Sequence, residues 1–271
     1  MAPGLSLAFD TPDLARRYDQ ESIERQFRAG KTLIAKLGVR PGEHVLDVGT
    51  GTGRLAEHAA WLVAPTGTVL GIDPLPLRIE LARQRVASNL SFEVGTADAL
   101  DGLPDGRFDV ICLNAVFHWI PEKLPALLQF HRVLKPGGRV GITTGSKEHP
   151  NSVQAVRRRV LAREPYRSFP ESERGGAQRV TLSELVELFE RAKFVVQSID
   201  IEPHIGFHAT ADDAIEFSQA SSFGNFLGHL PEDRRAAART EIAEELEKLR
   251  TAAGIPQQGA RIVALGVKPS G

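Results

Sequence analysis

From residue 43 onward, short apolar, β-branched runs alternate with stretches whose apolar residues recur every three or four positions. His44-Val45-Leu46-Asp47-Val48 predicts a first strand, and a helix follows through Leu55, Ala56, Ala59 and Ala60. Residues 68–73 predict a second strand, then a helix carrying Ile79, Leu81, Ala82 and Val86. Residues 90–94, 108–113 and 139–143 predict three more, the last after a Pro136-Gly137-Gly138 turn. Strands joined by helical crossovers pair in parallel, with helices on both faces of the sheet. The pattern therefore implies an open α/β fold, and such folds bind ligands at the carboxyl ends of their strands.

Beyond residue 145 the rhythm changes. Residues 152–163 read as a basic helix, 182–192 as an amphipathic helix, and 194–201 as a sixth strand. Residues 212–250 contain no clear strand and end in a helix with Ile242, Leu246 and Leu249 on one face and Glu244 spaced to pair with Lys248. Residues 261–267 give a final strand. The simplest arrangement is one domain with a core at about 36–145, continued by 181–202 and 261–268. Residues 1–35, 146–180 and 208–255 then form a helical cap over the carboxyl edge; the alternative is helical decoration with no part in binding.

The stretch from Asp47 to Gly53 carries the chemistry. A buried strand runs into Gly49, Gly51 and Gly53 at alternating positions and then directly into a helix. Without Cβ atoms the backbone can turn sharply and let a ligand approach closely, and free N–H groups at the helix start face an anionic group. The G-x-G-x-G spacing differs from the G-x-G-x-x-G of dinucleotide-binding oxidoreductases, and no Lys-Ser/Thr follows to cradle a nucleoside triphosphate. Asp73 ends the second strand 20 residues after Gly53, where an acid can take both hydroxyls of a ribose.

Composition narrows the ligand. The 271 residues include 33 Lys plus Arg and 34 Asp plus Glu, a formal charge of -1, so the basic excess expected of a nucleic-acid binder is missing. The single Cys112 excludes a disulfide framework, a cysteine-rich zinc site and an iron–sulfur cluster. No metal is expected. No apolar run approaches the ~20 residues that span a bilayer, and residues 1–9 lack the features of a signal peptide. The expectation is a cytoplasmic protein, with no membrane span and no nucleic acid, that handles a small molecule.

These stations together resemble the class I S-adenosylmethionine-dependent methyltransferases, closely over residues 40–145 and loosely elsewhere. The nearest subgroup acts on small molecules, as in trans-aconitate, juvenile hormone acid and ubiquinone-biosynthesis methyltransferases. The resemblance implies a Rossmann-like, seven-stranded, mostly parallel sheet with helices on both faces and a helical substrate cap. It implies S-adenosyl-L-methionine as cofactor, its methionine part held by the loop containing Asp47, Gly49, Thr50, Gly51 and Gly53, its ribose by Asp73, and its adenine packed by Pro74 and Leu75. Asp98 and the Ala99 N–H would bind the adenine edge, although Asp98 could instead cap a helix. Asp47 could order the loop or contact the methionine amino group; both stay open. Asn114 begins the segment lining the methyl-transfer point, and Leu134-Lys135-Pro136-Gly137-Gly138 matches the usual lead into strand five.

Asn114-Ala115-Val116-Phe117-His118-Trp119 looks like the corresponding segment of carboxylic-acid methyltransferases. There His118 would face the substrate as donor or base, with Phe117 and Trp119 walling the pocket and His149 as a second candidate. Tyr18 resembles an N-terminal tyrosine that folds over the cofactor, against the alternative that it only packs. Arg157, Arg158 and Arg159 form either a solvated face or a funnel for an anionic substrate. Residues 221–226 look like a cap segment with close backbone approach at Gly224, without a firm chemical role. No Asn/Asp-Pro-Pro-aromatic turn follows strand four and no Pro-Cys pair is present, so amide, adenine and cytosine methylation are discounted, as is arsenite methylation for want of cysteines. The expected reaction is direct methyl displacement onto a small-molecule acceptor, carboxylate oxygen favoured. Hydroxyl, thiol or carbon methylation of a hydrophobic metabolite, or a non-catalytic partner subunit, are the alternatives.

Overall fold

The computed structural model describes residues 10–21, 23–169 and 176–270. Two helices, α1 (Pro12–Glu21) and α2 (Ile23–Leu37), precede an alternation of β1 (His44–Val48), α3 (Arg54–Val63), β2 (Thr68–Asp73), α4 (Pro76–Ala82), β3 (Leu90–Val94), β4 (Phe108–Asn114), α5 (Lys123–Val133) and β5 (Leu134–Gly145). Then follow α6 (Ser152–Leu161), α7 (Leu182–Arg191), β6 (Val195–His208), α8 (Ala211–Ser221), α9 (Glu232–Glu247) and β7 (Ile255–Val267). The strands form one seven-stranded sheet in the order β3-β2-β1-β4-β5-β7-β6. β1 to β5 pair in parallel, and β7 runs antiparallel to both β5 and β6.

The central strands are apolar on both faces, as parallel strands sandwiched by helices must be. One face buries Leu46, Leu70, Ile111 and Val140 with Phe130 of α5 and Leu185 and Phe189 of α7. The other buries Val45, Val69 and Val110 with Leu33 of α2 and Ala56 and Ala59 of α3. A third cluster joins α6, α8 and α9 through Val153, Val156, Ile215, Ile242 and Leu246. Among the described residues, no helix is long and apolar enough to cross a membrane.

Several element ends differ from the sequence reading. α4 stops at Ala82, leaving Val86 91% exposed. Lys248 pairs with Glu245 at 2.8 Å rather than with Glu244, since α9 ends at Glu247. The largest difference lies in the last two strands. β6 and β7 pair from Val195↔Val267 to His208↔Ile255 with one register shift between Val196 and Ser198, while β5 accompanies β7 only as far as Gly145↔Arg261. Nearly half of this antiparallel pair, residues 203–208 with 255–260, therefore projects past the sheet's carboxyl edge. Pro203, Pro256 and Gly259 read locally as breakers, but pairing with a partner strand overrides local propensity. This extension makes a wall beside the parallel strands.

Candidate active site

The glycine loop is built by three constraints. The Gly49 and Thr50 N–H groups donate to the Ile72 carbonyl (2.8 and 2.9 Å), and the Gly51 N–H donates to Asp73 Oδ2 (2.9 Å). Gly49, Gly51 and Gly53 all have positive φ, at 69°, 56° and 81°, a region where a Cβ clashes with its own backbone. A Cβ on Gly49 would also lie 2.3 Å from Val116, so β4's exit loop packs directly against the bare backbone. Gly53 serves another purpose. It starts α3, and a Cβ there would meet the Phe92 ring at 2.6 Å, so it permits close helix–strand packing and does not face the cavity.

Asp73 ends β2 with both carboxylate oxygens engaged, Oδ2 by Gly51 and Oδ1 by the Leu75 N–H at 3.0 Å. Burial raises its pKa against the pull of those two N–H groups and of the Arg78 charge. Asp47 sits one layer deeper. It accepts from the Thr50 hydroxyl at 2.7 Å and from Cys112 Sγ at 3.3 Å, and burial pushes its pKa up to about 6. Neither Asp47 nor Thr50 lines the cavity. Among the described residues, Asp47 thus holds the loop through the Thr50 side chain and not through backbone N–H groups.

A cavity of about 740 Å³ opens at the carboxyl edge of β1, β2, β4 and β5, within the roughly 300–1,000 Å³ of small-molecule sites. Of the sequence candidates, Gly49, Gly51, Asp73, Pro74, Asp98, Asn114, His118, Trp119 and His149 line it. Leu75 is buried at 2% exposure beneath it, and Ala99 lies outside the lining with its N–H donated to Thr96. No helix follows Asp98, so the capping alternative has nothing to cap. Tyr18 falls in α1, but its side chain lies outside the described residues.

Phe117 departs from its expected place. Residues 117–119 form one turn of 3-10 helix, which rotates successive side chains by about 120°. Phe117 thus enters the core beside Leu113 and Ile120, fully buried, while His118 and Trp119 reach the cavity. His118 Nδ1 lies 3.1 Å from Thr144 Oγ1. Burial, and then the charges of Arg179 and Lys123, hold its pKa well below the ordinary imidazole range, so the ring is neutral at physiological pH. Asn114 donates to the Gln26 carbonyl (2.9 Å) and accepts from the Thr143 hydroxyl (2.8 Å), tying α2 to the end of β4.

Other lining residues carried no role in the sequence. Arg78, 1% exposed, reaches Asp10 (3.3 Å) and the Ala220 carbonyl (3.2 Å) and lies 5.1 Å from the Phe223 ring. Phe223, at φ 56°, in turn contacts Trp119 at 5.1 Å between centroids, and Trp119 contacts His118 at 5.0 Å. A row of contacts therefore links Arg78, Phe223, Trp119 and His118, all of which line the cavity, using the 221–226 segment. Arg157 and Arg158 line the cavity, whereas Arg159 pairs with Glu245 at 2.9 Å. Asp19, next to Tyr18, bonds the Thr52 hydroxyl and Arg85 and clamps α1 onto the glycine loop. Nothing local in the sequence signals the Arg78 and Asp19 contacts, because each partner is more than 30 residues away.

The comparisons agree with this geometry. A family model described as a methyltransferase domain matches residues 40–193, more than half of the chain. The chain belongs to this methyltransferase family. A demethylmenaquinone methyltransferase of Symbiobacterium thermophilum is 35% identical over 122 residues, 43% of this chain and 48% of its own. The ubiquinone/menaquinone biosynthesis C-methyltransferase UbiE of Ectopseudomonas mendocina is 39% identical over 115 residues, 41% of this chain and 44% of its own. The chain spans about half the length of these curated relatives. The crystal structure of the YcgJ protein of Bacillus subtilis has the same fold, with a TM-score of 0.62 at 20% identity, covering 90% of this chain and 99% of that one.

S-adenosylmethionine is the methyl donor that membership of the family assigns. The residues present fit it: side-chain-free backbone at Gly49 and Gly51, and the carboxylates of Asp73 and Asp98, share one cavity wall.

Proposed function

We propose that this chain is an S-adenosylmethionine-dependent methyltransferase acting on a small-molecule acceptor, with a carboxylate oxygen as the favoured methyl acceptor. The observation that carries the reading is that one cavity brings the glycine loop and Asp73 together with His118 and Trp119. When bound, the cofactor supplies an electrophilic methyl carbon attached to a sulfonium. Gly49 and Gly51 would lie against its methionine part and Asp73 would hold its ribose, with Pro74 and Asp98 beside the adenine.

The chain's own task is alignment, because a direct displacement needs no covalent link to the protein. Reacting atoms must be held about 3–3.5 Å apart. His118 and Trp119 would place the acceptor, and Phe223, fixed between Arg78 and Trp119, would roof it and keep water out. The helices α6 and α8 act as the cap in this reading, with Arg157 and Arg158 of α6 on the acceptor's side. A neutral imidazole suits orientation of an anionic acceptor by a hydrogen bond. The alternatives for the acceptor atom are a hydroxyl, thiol or carbon of a hydrophobic metabolite, the last being what the name of the UbiE relative describes.

The test has two parts. Excess S-adenosylmethionine should raise the melting temperature, and a radiolabelled-methyl screen over pooled carboxylic acids, phenols, thiols and quinols should label the carboxylic-acid pool. No thermal shift would remove the cofactor assignment; labelling confined to another pool would move the acceptor atom.

A further inference from the structure

The cavity wall at the end of β5 holds a contact with consequences for the acceptor. Thr144 is 2% exposed, and among the described residues its hydroxyl has one hydrogen-bond partner, His118 Nδ1 at 3.1 Å. Two arrangements satisfy that distance. If Nδ1 carries the proton, Thr144 Oγ1 accepts and its own O–H has no acceptor among the described residues. If the threonine donates, its O–H and Nδ1 are paired and the ring's proton resides on Nε2, on a half-buried ring that lines the cavity. A buried donor left without an acceptor costs about 1–3 kcal/mol, and the cost falls when that donor sits on the half-buried His118 ring rather than on Thr144 at 2% exposure, which favours the second arrangement. His118 is neutral here, because burial and the facing cations Arg179 and Lys123 disfavour a second proton. Among the described residues Nε2 has no hydrogen-bond partner, and the ring lines the cavity.

We propose that Thr144 is a positioning residue that donates to Nδ1 and so holds neutral His118 as the Nε2–H tautomer. That tautomer presents a donor to the cavity and no lone pair. It can orient an oxygen that is already anionic, and it cannot remove a proton from a hydroxyl or thiol. The inference rests on the methyltransferase reading above and deepens it: the acceptor is a carboxylate, bound through one oxygen to His118 with its apolar part against Trp119 and Phe223. Thr144 therefore helps decide which chemical class the site accepts without touching the cofactor loop.

The test uses the whole chain labelled with 15N-histidine, with His118→Gln identifying the ring's signals. In the wild type the long-range 1H–15N pattern should show Nε2 protonated and Nδ1 bare. Thr144→Val should move it toward the other tautomer or a mixture, and Thr144→Ser should restore it. With saturating S-adenosylhomocysteine, benzoate should shift the Nε2 signal and benzyl alcohol should not. Thr144→Val should weaken benzoate binding at least fivefold while leaving the affinity for S-adenosylhomocysteine within twofold. A wild-type Nδ1–H pattern, or a Thr144→Val protein with an unchanged pattern, overturns the inference, and the wild-type spectrum decides even if the variant folds poorly. Absence of S-adenosylhomocysteine binding overturns the methyltransferase reading instead, so the two failures are distinguishable.

Discussion

The two walls of the cavity are built by different logic. The wall carrying the glycine loop is mostly local: residues 47–53 and Asp73 lie at the ends of two neighbouring parallel strands, and the bends of Gly49 to Gly51 are held by backbone N–H groups donating to the Ile72 carbonyl and to Asp73. The opposite wall is assembled from β5, the 3-10 turn after β4, α6, α8 and the extension of β6 and β7, held by side chains that meet across large sequence separations. A wall made of backbone tolerates almost no change of residue type at its bends. A wall made of side chains can be altered one residue at a time and still stand, which suits the part of an enzyme that selects its acceptor.

The sharpest way to break the first wall is Gly49→Ala. The new Cβ combines a positive φ with overlap on Val116, so stability should fall by about 2–3 kcal/mol and S-adenosylmethionine binding should vanish in calorimetry. On the second wall, His118→Ala should lower turnover of the best acceptor by about 100-fold with cofactor affinity within twofold; equal losses in both would show that the walls are not separable. Asp73→Ala leaves the Gly51 N–H without its acceptor, and should weaken the cofactor by about 30-fold with little change in the acceptor KM of whatever complex still forms. Phe223→Ala should raise the acceptor KM about tenfold, measured by initial rates, while the melting temperature moves by only a few degrees.

The smallest effect concerns Asp47. Its folded pKa of about 6 lies above its ordinary 3.8, so between those values the native state binds more protons than the unfolded chain. This carboxyl's contribution to stability is therefore most favourable below about pH 4 and declines as pH rises toward 6. Asp47→Asn should flatten that decline, seen as a smaller difference between urea midpoints at pH 4 and pH 7 than in the wild type. An unchanged difference would show that Asp47 is not what makes the loop sensitive to pH.

The contrast between the walls also explains what could be read in advance. The parallel alternation, the turn at Gly49 to Gly53 and Asp73 at a strand end were legible because each is a short-range pattern with one steric solution. Phe117 was misplaced as a pocket wall because only the tight 3-10 turn shows which of three adjacent aromatic residues faces inward. Phe223 was visible as a residue without a role, since its partners Arg78 and Trp119 lie over 100 positions away. The β6 and β7 extension was missed because Pro203, Pro256 and Gly259 weaken any local strand signal.

By itself the amino-acid sequence determined the sheet's parallel core, the glycine loop and the acid beside it, because φ restrictions, hydrophobic periodicity and strand ends act over a few residues. Only the tertiary structure decided that Asp47 holds the Thr50 side chain, that Phe223 meets both Arg78 and Trp119, and that a buried threonine faces His118. Those outcomes depend on which distant surfaces meet when the core closes. Burial then dictates protonation and hydrogen bonding at the points of contact.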